Sequence, residues 1–380
     1  MPELPEVETI ARDLRGLVVG SRIGGARSNW PRTLRSHEPD AFGAGVSGRE
    51  IVGVGRRGKQ LLIMLGPVHS AAPGPLPAGS SAPAGPGPTD PAVLTVHLKM
   101  TGQLFVVPAG TPQDRHVHLV LELGDGRELR FRDMRKFGRI GLYRRDPETG
   151  VPPAGEADGV LARGAEPLSD EFTPELLRKL LAARRGRIKT LLLNQDFIAG
   201  VGNIYADEAL WQARIHPLHE ARSLRREETR RLHSALLGVL SEAVMRRGSS
   251  VDDYTAPEGD GSMQEHLAVY QRAGEPCLRC GRRLKRIVVG GRSTHYCGWC
   301  QRLPAGDRTA AGTAAAGSED APAGAGPLRR GPRWTELSGE GALGRTPEEE
   351  LQAAERARRV AAARKAAAAR RAAARAGGPA

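Results

Sequence analysis

The sequence predicts an α+β chain of several units: an antiparallel β-sandwich with a helix ahead of it, a helical domain, a short zinc-binding hairpin module and an Ala/Arg-rich tail. Three observations predict it. Over residues 51–143 short apolar runs alternate with glycine turns. Over residues 166–248 apolar residues recur every three or four positions. All four cysteines fall between positions 277 and 300. At 380 residues the chain is long enough for two or three domains. The shifts in pattern put the boundaries at 1–150, 166–265, 266–303 and 304–380.

The first helix follows from Val7, Ile10, Leu14 and Leu17, which share one face, with Gly20 closing the segment. The strands are REIVGVG, KQLLIML, AVLTVHL, HVHLVLEL and RELRFRD, with a turn at Gly124-Asp125-Gly126. Residues 67–91 are rich in Pro, Gly, Ala and Ser with almost nothing to bury, which predicts a disordered surface loop inserted between two strands. Thr173 is suited to cap a helix with Pro174 at its first position, and Leu176, Leu177, Leu180 and Leu181 form a stripe that Gly186 ends. IKTLLLNQ, the turn DFIAGVGN and IYADEALWQARI follow, stopped by Pro217. A long helix is expected over 223–248, with Leu232, Leu236, Leu240 and Val244 on one side. In the tail, Thr346, Pro347 and Glu348 to Glu350 make a strong helix start ahead of an alanine-rich stretch.

A net charge of +13 and a pI near 10.2 point to a polyanionic partner, nucleic acid first. The excess is present without the tail. Aromatic residues make up only 4%, too few for the stacking platforms of general single-strand binders, so duplex is favoured. No run of 18 apolar residues exists and the N-terminus is acidic, so the expectation is a cytoplasmic protein with no membrane partner.

The motif CLRC, sixteen residues, then CGWC offers Cys277, Cys280, Cys297 and Cys300 as a tetrathiolate for one structural Zn2+. Between the knuckles KRIVVGGRST reads as a hairpin turning at Gly290-Gly291, with Arg292 at its tip, either a phosphate contact or a solvated arginine. The opening MPELPEVETI raises a second chemistry. Once Met1 is trimmed, Pro2 is a secondary amine, able to attack an aldehyde carbon and give an iminium that is cationic without an added proton. The same residues also suit a plain helix lead-in. RRGK puts Lys59 in a tight turn, HLKMTG and DMRKFG set an exposed apolar group beside basic ones, and GVGN precedes a helix whose free N–H groups suit an anion. Each of these alone is an ordinary feature.

Together they resemble the formamidopyrimidine-DNA glycosylase family along nearly all of residues 1–303. The resemblance rests on PELPEVE, RRGK, HLKMTG, RHVH, DMRKFG, NQDFIAGVGNIYADE, LAVYQRAGEPC and GRSTHYCGWCQ. It implies a β-sandwich, a helix-two-turn-helix domain and a zinc finger, acting as a monomer on damaged double-stranded DNA. It further implies base-excision repair of oxidised purines, 8-oxoguanine and formamidopyrimidines, followed by β,δ-elimination through a Schiff base on Pro2. By that resemblance Glu3 is the acid/base residue and Lys59 aids proton transfer near the lesion phosphate. Asn203 and Arg292 clamp phosphate, joined by His116, while Met100, Arg135 and Phe137 fill the space of the flipped base. Residues 248–265 fall where purine-specific members carry a lid. The related endonuclease VIII class shares the proline and prefers oxidised pyrimidines; the PELPEVE form and the lid segment favour the purine branch. A non-catalytic damage binder would be expected to lack Pro2, Glu3 or Lys59, and a chromatin-coating protein leaves the N-terminus unexplained.

Overall fold

The computed structural model describes residues 1–35, 37–68, 86–153, 156, 160–249 and 261–307. Helix α1 (Leu4–Val18) starts at the proline-containing turn, where the Glu3 N–H donates to Glu6 Oε2 at 2.8 Å and closes the first turn. Its buried face serves two cores. Val7, Ile10, Ala11, Leu14 and Val18 pack into the sandwich, whereas Leu4 packs among the helices.

The sandwich has two four-stranded antiparallel sheets. One runs β1 (Ile23–Ser28), β6 (Val117–Leu123), β7 (Arg127–Asp133), β5 (Gly102–Pro108). The other runs β2 (Arg49–Arg57), β3 (Gln60–Val68), β4 (Ala92–His97), β8 (Arg139–Arg144). Helix α2 (Pro39–Val46) contributes Phe42 and Val46 to the core between them. Strand β1 reads IGGARS, with only Ile23 and Ala26 to signal a buried face, so no alternation announces it.

The expectation for residues 67–91 needs correction at both ends. Pro67 and Val68 continue β3, and residues 86–91 fold back toward β4. The cause is Arg49, only 1% exposed, whose guanidinium donates to the carbonyls of Gly45 (2.7 Å), Gly66 (3.0 Å), Gly87 (2.7 Å) and Asp90 (2.6 Å). A buried cation satisfied this fully holds both stems of the insertion together. Residues 69–85 lie outside the described residues.

Helix α3 (Pro174–Ala182) begins as the sequence predicts, with Thr173 Oγ1 accepting the Leu176 N–H at 3.1 Å. Helices α4 (Ile188–Leu193) and α5 (Asn203–Ala213) follow, and α6 (Arg226–Met245) buries Leu232, Leu236, Leu240 and Val244. Strands β9 (Lys285–Val289) and β10 (Arg292–Tyr296) form the expected hairpin. The described residues extend past the expected boundary at 303, to Asp307. Asp307 Oδ2 accepts the Glu220 N–H at 3.1 Å and lies 3.1 Å from His219 Nδ1, fastening the start of the tail to the helical domain. The helix expected from 346, and residues 250–260 of the expected lid, lie outside the described residues.

Candidate active site

The site is built around a carboxylate that meets a helix N-terminus. Glu3 accepts the N–H groups of Gly202 (2.7 Å), Ile204 (3.0 Å) and Tyr205 (3.4 Å) at the start of α5. These are the free donors expected of GVGN, and the anion they hold is the chain's own carboxylate. Glycine is required there. A Cβ at Gly202 would lie 2.3 Å from Glu3 Cδ, and Gly200, at φ +86°, would put one 2.6 Å from Leu4 Cβ. Burial raises the Glu3 pKa above the ordinary 4.5, against the pull of Lys59 and the Ile204 N–H, while Glu6 adds to the rise.

Lys59 is buried at the β2–β3 turn. Burial lowers its pKa, Glu3 and Glu6 oppose that, and Arg292 adds to the lowering, so Lys59 lies within the field of all three charges. The turn is fixed by Glu166, which accepts the Gly58 N–H at 2.9 Å and pairs with Arg56; Arg56 also pairs with Glu8 at 2.9 Å. Pro2 is buried directly before Glu3, with Met1 still preceding it.

Sequence reasoning gave no site role to Glu6, Tyr205 or Ser249. Buried Glu6 accepts the Tyr205 hydroxyl at 2.5 Å and the Ser249 N–H at 2.8 Å, besides the Glu3 N–H. Burial, then Glu6 itself, raises the Tyr205 pKa well above 10.0, so the phenol stays a donor. An acid at the third position of the first helix was the available signal for Glu6; its partners, about two hundred residues away, gave none.

Asn203 opens α5 and donates from Nδ2 to the Ser293 carbonyl at 3.0 Å, one residue beyond exposed Arg292. Lys189 Nζ donates to the same carbonyl at 3.2 Å and to Asp207 Oδ1 at 2.5 Å, and Asp207 Oδ2 accepts the His295 N–H at 2.8 Å. One buried network therefore sets the hairpin against α4 and α5. It places Arg292 beside Asn203.

Met100, 38% exposed, occupies the β4–β5 turn, and Phe137, 47% exposed, the β7–β8 turn. The Arg135 guanidinium carbon lies 5.0 Å from the centroid of the Phe137 ring. His116 is tied to the second turn, its carbonyl accepting the Asp133 N–H at 2.9 Å. His97, which the reading of HLKMTG passed over, has its pKa pushed down to about 3 by burial, then Lys99, Lys59 and Arg35. It is a neutral imidazole among cations, with Nδ1 accepting the Lys99 N–H at 3.1 Å.

The sulfurs of Cys277, Cys280, Cys297 and Cys300 all lie within 4.8 Å of one another. Tetrahedral zinc with Zn–S near ~2.3 Å needs sulfurs about 3.8 Å apart. The donor set fits. Burial and the sulfurs of Cys280 and Cys297 push the Cys300 thiol up to about 12, whereas an ion among them would hold all four as thiolates. The Trp211 indole N–H of α5 donates to Cys277 Sγ at 3.4 Å, joining the finger to the helical domain.

Comparison with known proteins matches residues 1–140 to the formamidopyrimidine-DNA glycosylase N-terminal domain, 163–255 to its H2TH domain, and 274–303 to the zinc finger found in FPG and IleRS. The formamidopyrimidine-DNA glycosylase of Chloroflexus aurantiacus is 45% identical over 303 residues, covering 79% of this chain and 98% of that protein. Lactococcus lactis Fpg in complex with abasic-site DNA is 33% identical with a TM-score of 0.65, over 79% of this chain and 99% of that one. A variant of the same Lactococcus protein, bound to Fapy-dG-containing DNA, gives the same identity and TM-score over 79% and 100%.

Proposed function

The chain belongs to the formamidopyrimidine-DNA glycosylase family of DNA-repair enzymes, and from that premise we propose that it excises oxidised purines from duplex DNA and then cuts the strand through a Schiff base on Pro2. The observation that carries this reading is the buried Glu3 carboxyl, held by the N-terminus of α5 beside Lys59 and one residue from Pro2. The relatives in complex with Fapy-dG and abasic-site DNA support the choice of substrate.

A base inside the stack hides its sugar, so the lesion nucleotide turns out of the duplex at a cost of about a few kcal/mol, least for damaged pairs. Met100 and Phe137 enter the space it leaves, and Arg135 offers donors to the orphaned partner base. Arg292 and Asn203 hold phosphate next to the flipped nucleotide, with His97 and His116 in the same basic surround. The Pro2 amine, free after removal of Met1, attacks C1′ as the bond to the base breaks, and the proton that the amine sheds passes to the departing base, which restores the nitrogen lone pair. Glu3, its pKa raised by burial, holds a proton to higher pH than an ordinary carboxyl and supplies it to the sugar oxygen, so that the ring opens and the amine lone pair forms the iminium. The iminium acidifies the C2′ proton, whose loss expels the 3′ phosphate; a second elimination expels the 5′ phosphate. Lys59, its pKa lowered, is suited to move protons there. Zinc held by Cys277, Cys280, Cys297 and Cys300 would be structural, joining the knuckles that carry the hairpin.

The test is borohydride trapping on duplexes with one 8-oxoguanine or one thymine glycol. The expected result is faster turnover of the purine lesion and a crosslink that maps to Pro2. A crosslink on a lysine, or full activity with Met1 retained, overturns the mechanism, and a preference for thymine glycol overturns the specificity.

A further inference from the structure

One buried carboxylate serves both of the turns that carry Met100, Arg135 and Phe137. Asp133, at the end of β7, is 1% exposed. Its Oδ1 accepts the Thr101 hydroxyl at 2.5 Å and the Arg135 N–H at 3.2 Å, and its Oδ2 accepts the Gly138 N–H at 2.6 Å. Thr101 closes the arrangement. Its oxygen accepts the same Arg135 N–H at 3.2 Å, so the residue after Met100 touches both the carboxylate and the backbone of Arg135. The second turn is held from behind as well. Lys136, between Arg135 and Phe137, sits at φ +59° with its ammonium 4.0 Å from the centroid of the Trp30 ring.

The placement is tight. A Cβ at Gly138 would lie 2.3 Å from Phe131 Cζ, and one at Gly102 would lie 2.4 Å from the Leu98 carbonyl. Neither glycine leaves room for a side chain. Hydrogen bonds to an ionised acceptor are roughly twice as strong as neutral ones, and a buried carboxylate that loses a donor bears the desolvation cost of that loss.

Resting on the reading of Met100, Arg135 and Phe137 as a wedge, we propose that Asp133 acts through Thr101 as a positioning residue, coupling the two turns so that all three side chains enter the base stack as one rigid unit. A wedge on two independent turns would enter in steps, each opposed by closing of the stack. A coupled wedge inserts its parts together, with their relative orientation fixed beforehand.

The test uses the full chain with Thr101→Val, which keeps shape and removes the hydroxyl, and Thr101→Ser, which restores it. Phe137→Ala serves as the control for the wedge itself. Single-turnover excision of 8-oxoguanine from duplex is compared with cutting at a preformed abasic site, and 2-aminopurine next to the lesion reports unstacking. Thr101→Val is expected to slow excision about tenfold, to slow abasic-site cutting less, and to delay the fluorescence rise, with Thr101→Ser within about threefold of the parent. Equal loss on both substrates, or no recovery in Thr101→Ser, overturns the coupling while selective loss in Phe137→Ala leaves the wedge standing. Equal loss in Phe137→Ala overturns the wedge reading and the coupling with it.

Discussion

Removing the ammonium of Lys189 tests whether the hairpin that carries Arg292 is held by charge. Lys189→Met keeps most of the stem and deletes the donor to Asp207 Oδ1 and to the Ser293 carbonyl. Both partners of the ion pair are almost wholly buried, with side-chain exposures of 0% and 1%. Breaking such a pair from one side costs about 3–5 kcal/mol, because the remaining charge is left in a medium that solvates it poorly. Here Asp207 keeps the His295 N–H, and Ser293 keeps the Asn203 amide, so the lower end applies. About 3 kcal/mol is roughly two decades in the folding equilibrium. The assay is urea unfolding followed by tryptophan fluorescence, with Trp211 in α5 as the local reporter, on Lys189→Met, Asp207→Asn and the double variant. Removing both charges should recover a large part of the loss, giving a coupling energy above about 1 kcal/mol. A single-variant cost below about 1 kcal/mol, the range of an exposed ion pair, or additive losses in the double variant, would refute the argument.

Three further expectations can be measured directly. Because burial raises the Glu3 pKa, the folded chain holds that proton more tightly than the unfolded one, and stability falls as pH rises from 4.5 through the folded value. Glu3→Gln removes that loss, so its melting temperature relative to the parent should climb from acid to neutral pH, and a gap independent of pH would contradict the assignment. Cys297→Ser, or metal chelation, should disorder the Arg292 hairpin and weaken DNA binding, which metal analysis together with a binding isotherm would check. Truncation after Asp307, which spares the contacts to His219 and Glu220, should flatten the dependence of log K on log salt by about 0.9 for each phosphate the tail neutralises. Identical slopes for the two forms would remove the tail from DNA binding.

Local regularities made much of this readable in advance. The Thr173 cap, the stripe of α6 and the cysteine knuckles are each written within a few residues, because cap, stripe and chelate obey short spacings. What stayed hidden depends on contacts between distant segments. Nothing near Arg49 announces that its guanidinium will collect carbonyls from Gly45, Gly66, Gly87 and Asp90. Lys59 could equally have been a solvated turn until Gly58 packed against Ala199 and Gly200. Likewise GVGN was legible as an anion site, but the identity of the anion, Glu3, was not.

Helix α1 has a consequence in time. Glu3 and Glu6 leave the ribosome well before their partners, since Gly202, Ile204 and Ser249 follow 199, 201 and 243 residues behind them. At about 5–20 residues per second, that interval is roughly 10–50 s. In its last part the β-sandwich can collapse around Val7, Ile10 and Leu14, because its own strands are complete by Arg144. Glu3 lacks the N–H groups of Gly202, Ile204 and Tyr205 until α5 is made. A chain interrupted before Gly202 would therefore carry Pro2 on a folded sandwich without the helix that supplies those donors to Glu3, so under the proposed mechanism the site is complete only once the helical half is made.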